Sequence, residues 1–190
     1  VGIAPTGRWR MTFEQTHAVV EQLLYDSLVS ELMDKIAVSG GTLGHLKFFE
    51  PTSSFVAFMS TQFDGCKIYD VGAGVGHVTK ALTDVGMKVT AIDIVQRENP
   101  DFPVMMVNAT CCGYEKGSVV MLCRPCHGWF AEMVVEQALK CKAGAVVYVG
   151  LPKNVEAYLG RFRNKFKTRL VKAGRDNERV YVMETVFNRA

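Results

Sequence analysis

The spacing of apolar residues along the chain predicts strands in some segments and helices in others. From residue 67 onward, short apolar or β-branched runs alternate with helical stretches or turns. The predicted strands cover residues 67–70, 88–92, 102–107, 118–123, 144–149, 168–173 and 179–187. Gly174-Arg175-Asp176-Asn177 joins the last two strands and is typical of a hairpin turn. This order predicts an α/β fold, with an open, doubly wound, seven-stranded sheet that ends in a C-terminal β-hairpin.

Helical periodicity dominates the part of the chain before residue 63. Thr12 and Gln15 have capping-box spacing, and apolar residues then recur at helical intervals as far as Ile36. Pro51-Thr52-Ser53 can begin a further short helix, which carries Phe55. We therefore predict an N-terminal helical extension over residues 1–62 and one compact domain over residues 63–190.

Three helices are predicted inside the larger domain. One covers residues 77–85 and stops at Gly86, which is a good C-terminal cap. A second covers about 129–140. A third has one apolar face, made of Val155, Leu159, Phe162 and Phe166. Only about nine or ten residues separate the second, third and fourth strands, so full helices barely fit there.

A glycine-rich turn follows the first strand. Asp70 ends the apolar run, glycines stand at 72, 74 and 76, and a helical pattern begins at His77. Such a turn lets a ligand approach bare backbone beside unpaired helix N–H groups. The dinucleotide fingerprint requires glycine where His77 stands, and the chain contains no Gly-Lys-Ser/Thr, so the spacing disfavours a nicotinamide cofactor and a P-loop.

The next two predicted strands also end in polar residues. Asp93 follows the run 88–92, where a carboxylate can accept the hydroxyl groups of a ribose. Asn108-Ala109 follows the run 102–107. Taken alone, Asp93 could equally be a solvated acid that starts a loop, and Asn favours turns for reasons of its own.

The acid followed by three alternate glycines resembles motif I of the class I S-adenosylmethionine (SAM) dependent methyltransferases, which have a Rossmann-like fold. The resemblance covers roughly residues 65–190, and it implies SAM as cofactor. It also implies that the glycine loop packs against the methionyl part of SAM. The residues that it places in the cofactor site are Asp70, Gly72, Gly74, Gly76, Asp93 for the ribose, Ile94 against the adenine, and Asn108 and Ala109 at the adenine amino group.

Composition narrows the class of protein. The 190 residues are 48% hydrophobic and 22% charged, which is ordinary for one globular domain. No apolar run reaches the roughly 18 residues of a membrane span, and no uninterrupted apolar segment follows Arg8 and Arg10. With no export signal evident, the six cysteines are expected to be free thiols. We expect a cytoplasmic protein that makes no membrane contact.

The segment between Arg161 and Arg179 is strongly basic, with eight Lys and Arg against two acids. A basic face suits phosphate contacts, and a solvated helix face is the plainer interpretation. If the face binds nucleic acid, RNA being slightly favoured, the contacting residues are Arg161, Arg163, Lys165, Lys167 and Arg169.

The end of the fourth strand is where a methyl acceptor is expected, since ligands bind outside the carboxyl ends of such strands. It reads Cys123-Arg124-Pro125-Cys126-His127. The candidate catalytic residues are Cys126, His127 and Arg124. Cys126 could act as the thiolate nucleophile of a cytosine C5 methyltransferase, with His127 or Arg124 lowering the thiol pKa. His127 could instead be a general base.

Other interpretations of this segment are disfavoured. Cys-x-x-Cys-His is the motif for attachment of c-type haem, which requires export of the protein. In the cytosine C5 enzymes an acid commonly precedes Pro-Cys, and here Cys123 takes its place. A metal cluster that includes Cys111 and Cys112 lacks the regular spacing of zinc sites, so no metal is expected.

The sequence therefore favours a SAM-dependent methyltransferase whose acceptor it does not name. The alternative from another class is a non-catalytic SAM-binding protein, either a sensor or an accessory subunit that works with a partner protein. The shortened crossovers and the unmatched fourth-strand segment motivate that alternative.

Overall fold

A computed structural model describes residues 49–97, 100–125, 128–174 and 177–184. These residues form one sheet in the order β3-β2-β1-β4-β5-β7-β6, so the predicted seven strands are confirmed. The strands are β1 (Lys67–Val71), β2 (Lys88–Asp93), β3 (Val104–Met106), β4 (Val119–Cys123), β5 (Ala145–Gly150), β6 (Phe166–Lys172) and β7 (Arg179–Glu184).

Four α-helices and two 3-10 helices accompany the sheet in the described part of the chain. The α-helices are α1 (Ser53–Gln62), α2 (His77–Thr83), α3 (Gly128–Lys140) and α4 (Pro152–Leu159), and the 3-10 helices are Ala109–Cys111 and Gly160–Lys165. None of the helices that are described is both long and apolar enough to cross a bilayer.

The strand pairing gives the sheet a common carboxyl edge. The pairs β1–β2, β1–β4, β2–β3 and β4–β5 are parallel, whereas β7 runs antiparallel to both of its neighbours. The predicted mostly parallel sheet with a terminal antiparallel hairpin is therefore confirmed. The ends of β1, β2, β3, β4 and β5 lie on the same edge, and a ligand of a doubly wound sheet binds there.

The central strands β4 and β5 are covered on both faces, which explains why they are almost entirely apolar. Successive side chains of a strand point to opposite faces. Val120 and Leu122 therefore pack with α3 and α4, whereas Met121 packs with Phe55 of α1 and Leu82 of α2. This two-sided packing places the glycine turn before α2 and the start of α3 above the carboxyl edge.

Helix α1 begins where the Pro-Thr-Ser signal predicts. The Thr52 hydroxyl caps it by accepting from the Phe55 N–H, and the same hydroxyl donates to the Lys172 carbonyl of β6 at 2.6 Å. The Thr52 N–H also donates to the Ala173 carbonyl. Most of the predicted N-terminal extension lies outside the described residues, so the division at residue 62 stays a prediction.

The connections around β3 are as short as the sequence indicates. The 3-10 helix Ala109–Cys111 occupies the link between β3 and β4, and the described residues between β2 and β3 contain no helix. Met105 and Met106 point to opposite faces of the edge strand β3 and are 56% and 61% exposed. This edge of the sheet, next to the predicted adenine position, is therefore partly exposed.

The third predicted helix is shorter than its apolar pattern suggests. Pro152 begins α4, α4 ends at Leu159, and a 3-10 helix from Gly160 follows, so Phe166 belongs to β6. A helix of this length cannot span both Val155 and Phe166. Phe166 instead pairs with Met183 where β6 runs beside β7.

Candidate functional site

The glycine turn crosses the end of β2. The Gly72 and Ala73 N–H groups donate to the Ile92 carbonyl at 2.9 and 3.1 Å. Gly72, Gly74 and Gly76 all have positive φ, at 71°, 59° and 78°, a conformation that residues with a Cβ rarely adopt. The three alternate glycines are thus explained by the backbone itself.

The glycines differ in what surrounds them. A Cβ at Gly76 would lie 2.9 Å from the Cβ of Phe102, so this glycine is required by packing as well as by φ. A Cβ at Gly74 would meet nothing within 4 Å. Gly74 therefore borders open space at the carboxyl edge, where a ligand would contact its backbone.

Asp93 ties the glycine turn to the end of β2. Its Oδ2 accepts from the Gly74 N–H at 2.8 Å, and its Oδ1 accepts from the Val95 N–H at 3.0 Å. A carboxylate has about four acceptor positions, so two acceptor positions remain for the two hydroxyls of a ribose. Ile94, which is 41% exposed, follows directly. This geometry is compatible with the predicted roles of both residues.

Asn108 takes part in a local turn. Its Oδ1 accepts from the backbone N–H of Thr110 at 3.0 Å and from the Thr110 hydroxyl at 2.8 Å, and so caps the 3-10 helix. The carbonyl of the buried Ala109 accepts from the Tyr114 hydroxyl at 2.7 Å. The turn alone accounts for an Asn here, and an adenine contact remains a prediction.

Asp70 lies beneath the turn and is nearly inaccessible to solvent, at 2% exposure. Its Oδ2 accepts from the Thr79 hydroxyl of α2 at 2.7 Å. Burial raises the pKa of the Asp70 carboxyl to about 6, the Thr79 hydrogen bond opposes this rise, and the charge of Asp93 adds to it. Asp70 therefore supports the loop from below, and Thr79 is a supporting residue that sequence analysis missed.

His77 occupies the place at which the dinucleotide fingerprint needs glycine. Its Nε2 hydrogen-bonds to the carbonyl of Phe49. The departure from that fingerprint thus has a structural role of its own, which is to hold the start of α2 against the chain before α1.

The candidate reaction end is described only in part, because Cys126 and His127 lie outside the described residues. Arg124, directly after β4, has a positive φ of 51°, and its N–H donates to the Val149 carbonyl of β5 at 2.9 Å. Its Nε lies 3.2 Å from Oε1 of Glu178, which is 1% exposed. This ion pair joins the segment after β4 to the start of β7.

Glu178 was missed by sequence analysis, which counted it only as one acid in a basic stretch. Its side chain occupies space that Gly174 leaves, since a Cβ at Gly174 would lie 1.8 Å from Oε2.

Burial and the charges of Asp70 and Glu178 raise the pKa of the Cys123 thiol well above its usual range. Cys123 is therefore a neutral thiol at pH 7.

The basic stretch is largely neutralised by acids from elsewhere in the chain. Arg161 pairs with Glu132 and Glu136 of α3 at 3.2 and 2.7 Å, and Arg163 pairs with Glu156 at 3.5 Å. Lys167 and Arg169 both pair with Glu184. A count along the sequence misses these acids because they lie on other elements. Lys165 is exposed.

Within the described ranges, no group of three or more His, Cys, Asp or Glu side chains is arranged to hold a metal ion. Five of the six cysteines, Cys66, Cys111, Cys112, Cys123 and Cys141, are described, and all five are free thiols.

Comparison with known proteins gives a match in structure only. No family model matches the chain, and no curated protein matches it. The structure resembles that of the pyocyanin biosynthetic protein PhzM, with a TM-score of 0.51 and 15% identity over 70% of this chain and 54% of PhzM. The chain thus spans about half the length of PhzM.

A candidate RNA methyltransferase from Pyrococcus horikoshii is similar, with a TM-score of 0.50 and 15% identity over 72% of this chain and 81% of that one. Magnesium protoporphyrin IX methyltransferase from Synechocystis, solved with bound SAM, has a TM-score of 0.49 and 15% identity over 93% and 85% of the two chains. At such low identities the first two resemblances establish the fold alone. It is the Rossmann-like fold of class I SAM-dependent methyltransferases, as predicted.

Proposed function

We propose that this chain binds SAM at the glycine turn and transfers its methyl group to an acceptor at the carboxyl ends of β4 and β5. The observation that carries the proposal is the hydrogen bond from the Gly74 N–H to the Asp93 carboxylate. Gly74 borders open space, and its N–H holds the carboxylate that would bind a ribose. The backbone of Gly74, which has no side chain, and the oriented carboxylate of Asp93 thus lie next to each other at the carboxyl edge of the sheet.

The residues at the turn fit the parts of SAM. Gly72 and Gly74 leave room for the methionyl chain, because neither has a side chain and a Cβ at Gly72 would meet only the Phe130 ring, at 4.0 Å. Asp93 would accept from the ribose hydroxyls, and Ile94 would cover one face of the adenine. Asn108 and Ala109 would border the adenine amino group.

When bound, SAM supplies an electrophilic methyl group on its sulfonium. The chain's own contribution is to hold the acceptor in line and to exclude water, which can account for much of the rate of such a displacement. The start of α3 lies beside the glycine turn, since a Cβ at Gly72 would be 4.0 Å from the Phe130 ring. Cys126 and His127 remain candidates for a nucleophile and a general base, and Cys126 would serve cytosine C5 chemistry.

RNA is the acceptor class that we propose to test first. The basic residues support it, although the acids that pair with Arg161, Arg163, Lys167 and Arg169 lower the net charge of that surface. Fewer unpaired cations would release fewer counterions from a bound nucleic acid. We therefore expect weak binding to bulk RNA and recognition that depends on the pocket.

Transfer of a radiolabelled methyl group from SAM into separate pools of total RNA, DNA, protein and small metabolites tests the proposal. We expect label in one pool and none with the Asp93→Ala variant. Absence of label from every pool, at protein concentrations that bind SAM, would contradict catalysis by this chain alone. If Cys126→Ala transfers label as the unaltered protein does, C5 chemistry through that thiol is excluded.

A non-catalytic SAM-binding subunit is the second candidate. The three-residue edge strand β3, with Met105 and Met106 exposed, favours it because an open adenine side would suit a partner protein that completes the pocket. SAM affinity without any release of S-adenosylhomocysteine (SAH), followed by release when a partner is added, would support this candidate. Release of SAH by the isolated chain would exclude it.

A further inference from the structure

Tyr148 of β5 has a buried hydroxyl that makes no hydrogen bond among the described residues. The side chain is fully inaccessible to solvent. A buried polar atom without a partner destabilises a protein by about 1–3 kcal/mol, and such atoms in native structures call for an explanation. Neither the fold nor the proposed cofactor site supplies one.

The position of this hydroxyl is defined by Gly150, the last residue of β5. A Cβ at Gly150 would lie 2.8 Å from Cε1 and 3.2 Å from the hydroxyl oxygen of Tyr148. The ring therefore leans along its strand toward the carboxyl edge and ends at the level of Gly150. This is the edge at which the methyl acceptor is expected.

Aromatic rings lie against glycines at three points of the carboxyl edge. Besides Tyr148 at Gly150, the Tyr158 ring lies over Gly128, where a Cβ would be 2.5 Å from Cδ1, and the Phe130 ring lies by Gly72. Tyr158 is only half-buried, so part of its side chain reaches solvent. We call Phe130, Tyr148 and Tyr158 the aromatic rim.

The protonation state of the Tyr148 hydroxyl indicates which kind of ligand atom it would bind. Burial and the neighbouring Tyr158, Tyr181 and Cys123 raise the pKa of Tyr148, and the Arg124 cation opposes that rise. The phenol is therefore protonated at neutral pH and can donate a hydrogen bond. Such a donor suits an oxygen that accepts, such as a carbonyl, a carboxylate or a phenolate oxygen.

We propose that the Tyr148 hydroxyl is a binding group for the methyl acceptor, and that the acceptor is a planar ring carrying an oxygen that accepts this hydrogen bond. Aromatic groups pack well against one another, so the aromatic rim suits such a ring. This inference rests on the proposed function, because it assigns the acceptor side of that site. A nucleobase and a free phenolic compound share this chemistry.

The test compares Tyr148→Phe with Tyr181→Phe. Tyr181 is the matched control, because its ring packs edge-on against Tyr148 at 6.3 Å and its substitution removes the same atom from the neighbouring strand. Uridine and 4-hydroxybenzoate serve as probes for the two sources of the ring. Their affinities for the full chain are measured by ligand-observed NMR with and without SAH, and SAM affinity is measured by calorimetry.

We expect at least one probe to bind the unaltered chain when SAH is present. Tyr148→Phe should weaken that binding by about tenfold, leave SAM affinity unchanged, and leave the melting temperature unchanged or higher. Tyr181→Phe should keep the probe affinity. Preference for uridine would identify a nucleobase, and preference for 4-hydroxybenzoate would identify a small phenolic acceptor.

Equal probe affinity in the unaltered chain and Tyr148→Phe would overturn the inference, as would failure of both probes to bind while SAM binds. A marked drop in the melting temperature of Tyr148→Phe would also overturn it, because the hydroxyl would then have a structural partner. Failure of SAM itself to bind would instead count against the proposed function, so the two failures are distinguishable.

Discussion

The buried carboxyl of Asp70 makes stability depend on pH in a direction unusual for an acid. Its folded-state pKa of about 6 lies above the ordinary value of 3.8 because burial disfavours the charged form. The folded protein therefore binds more protons than the unfolded chain between these two values. The stability that this group contributes is fully present below about pH 4 and is lost as the pH rises through about 6.

Asp70→Asn should abolish this pH dependence. Between about pH 3 and about pH 7, the free energy of unfolding of the unaltered protein should fall by about 3 kcal/mol relative to that of the variant. Urea denaturation of both proteins across this range measures the difference. A difference that stays constant with pH would show that the carboxyl is not perturbed.

Thr79 and Thr83 form a matched pair on the same helix. The Thr79 hydroxyl donates to Asp70, whereas the buried Thr83 hydroxyl has no partner in the part of the chain that is described. Thr79→Val should lower the free energy of unfolding by about 1–3 kcal/mol at neutral pH, and Thr83→Val should leave it unchanged or raise it. Equal losses in chemical denaturation of the two variants would contradict the assigned hydrogen bond.

Sequence analysis proposed residues for the candidate cofactor site and missed Thr79 and Glu178, which support neighbouring buried groups. Asp93 follows an apolar run and could be predicted as a strand end. Thr79 and Glu178 could not, because their importance depends on which buried groups they meet across the fold. Thr79 of α2 donates to Asp70 of β1, and Glu178, just before β7, pairs with Arg124 more than fifty residues earlier in the chain.

Among the elements, the β6–β7 hairpin is joined to the end of β4 by the ion pair of Arg124 and Glu178. Glu178 is buried and Arg124 is 38% exposed, so the acid depends on the pair more than the cation does. Removing one partner of a buried ion pair destabilises a protein by about 3–5 kcal/mol. The partial exposure of Arg124 places the expected effect at the lower end.

Arg124→Met should therefore destabilise the protein by about 3 kcal/mol, and the double variant Arg124→Met, Glu178→Gln should recover most of that loss. Thermal and urea unfolding of the three proteins, arranged as a double-mutant cycle with Glu178→Gln alone, measures the coupling. Additive losses would mean that the two side chains do not interact.

The end of α4 and the start of α1 show how local sequence signals compare with the periodicity of apolar residues as guides to helix boundaries. The apolar face that ends at Phe166 predicts one long helix, yet α4 stops at Leu159 and Phe166 pairs within the sheet. Gly160 weakens the helix there, and the backbone of Phe166 pairs with that of Met183 in the β6–β7 ladder. Thr52 shows the reverse case, in which a local capping signal predicted the start of α1 correctly.

For the whole molecule, the sequence was sufficient to predict the sheet. Seven strands, their mostly parallel arrangement and the antiparallel last strand follow from alternating runs and turn residues, and all are observed. Surface charge could not be predicted in the same way. The acids that neutralise Arg161 and Lys167 lie on α3 and at the end of β7, and their proximity exists only after folding.

The central claim is that SAM lies against the glycine turn, and Gly74 offers the most direct test of it. Gly74 and Gly117 both have positive φ, at 59° and 78°, and a Cβ at either would meet nothing within 4 Å. Gly117 precedes β4 at the opposite, amino edge of the sheet. Alanine at either position should cost about 1–2 kcal/mol of backbone strain, and only at Gly74 would it enter the proposed cofactor site.

The decisive measurement is isothermal titration calorimetry of SAM against the unaltered chain, Gly74→Ala and Gly117→Ala. We predict that the unaltered chain and Gly117→Ala bind SAM with the same affinity and that Gly74→Ala binds it at least about tenfold more weakly. Absence of SAM binding to the unaltered chain, or equal affinity in all three proteins, would contradict a cofactor site at the glycine turn.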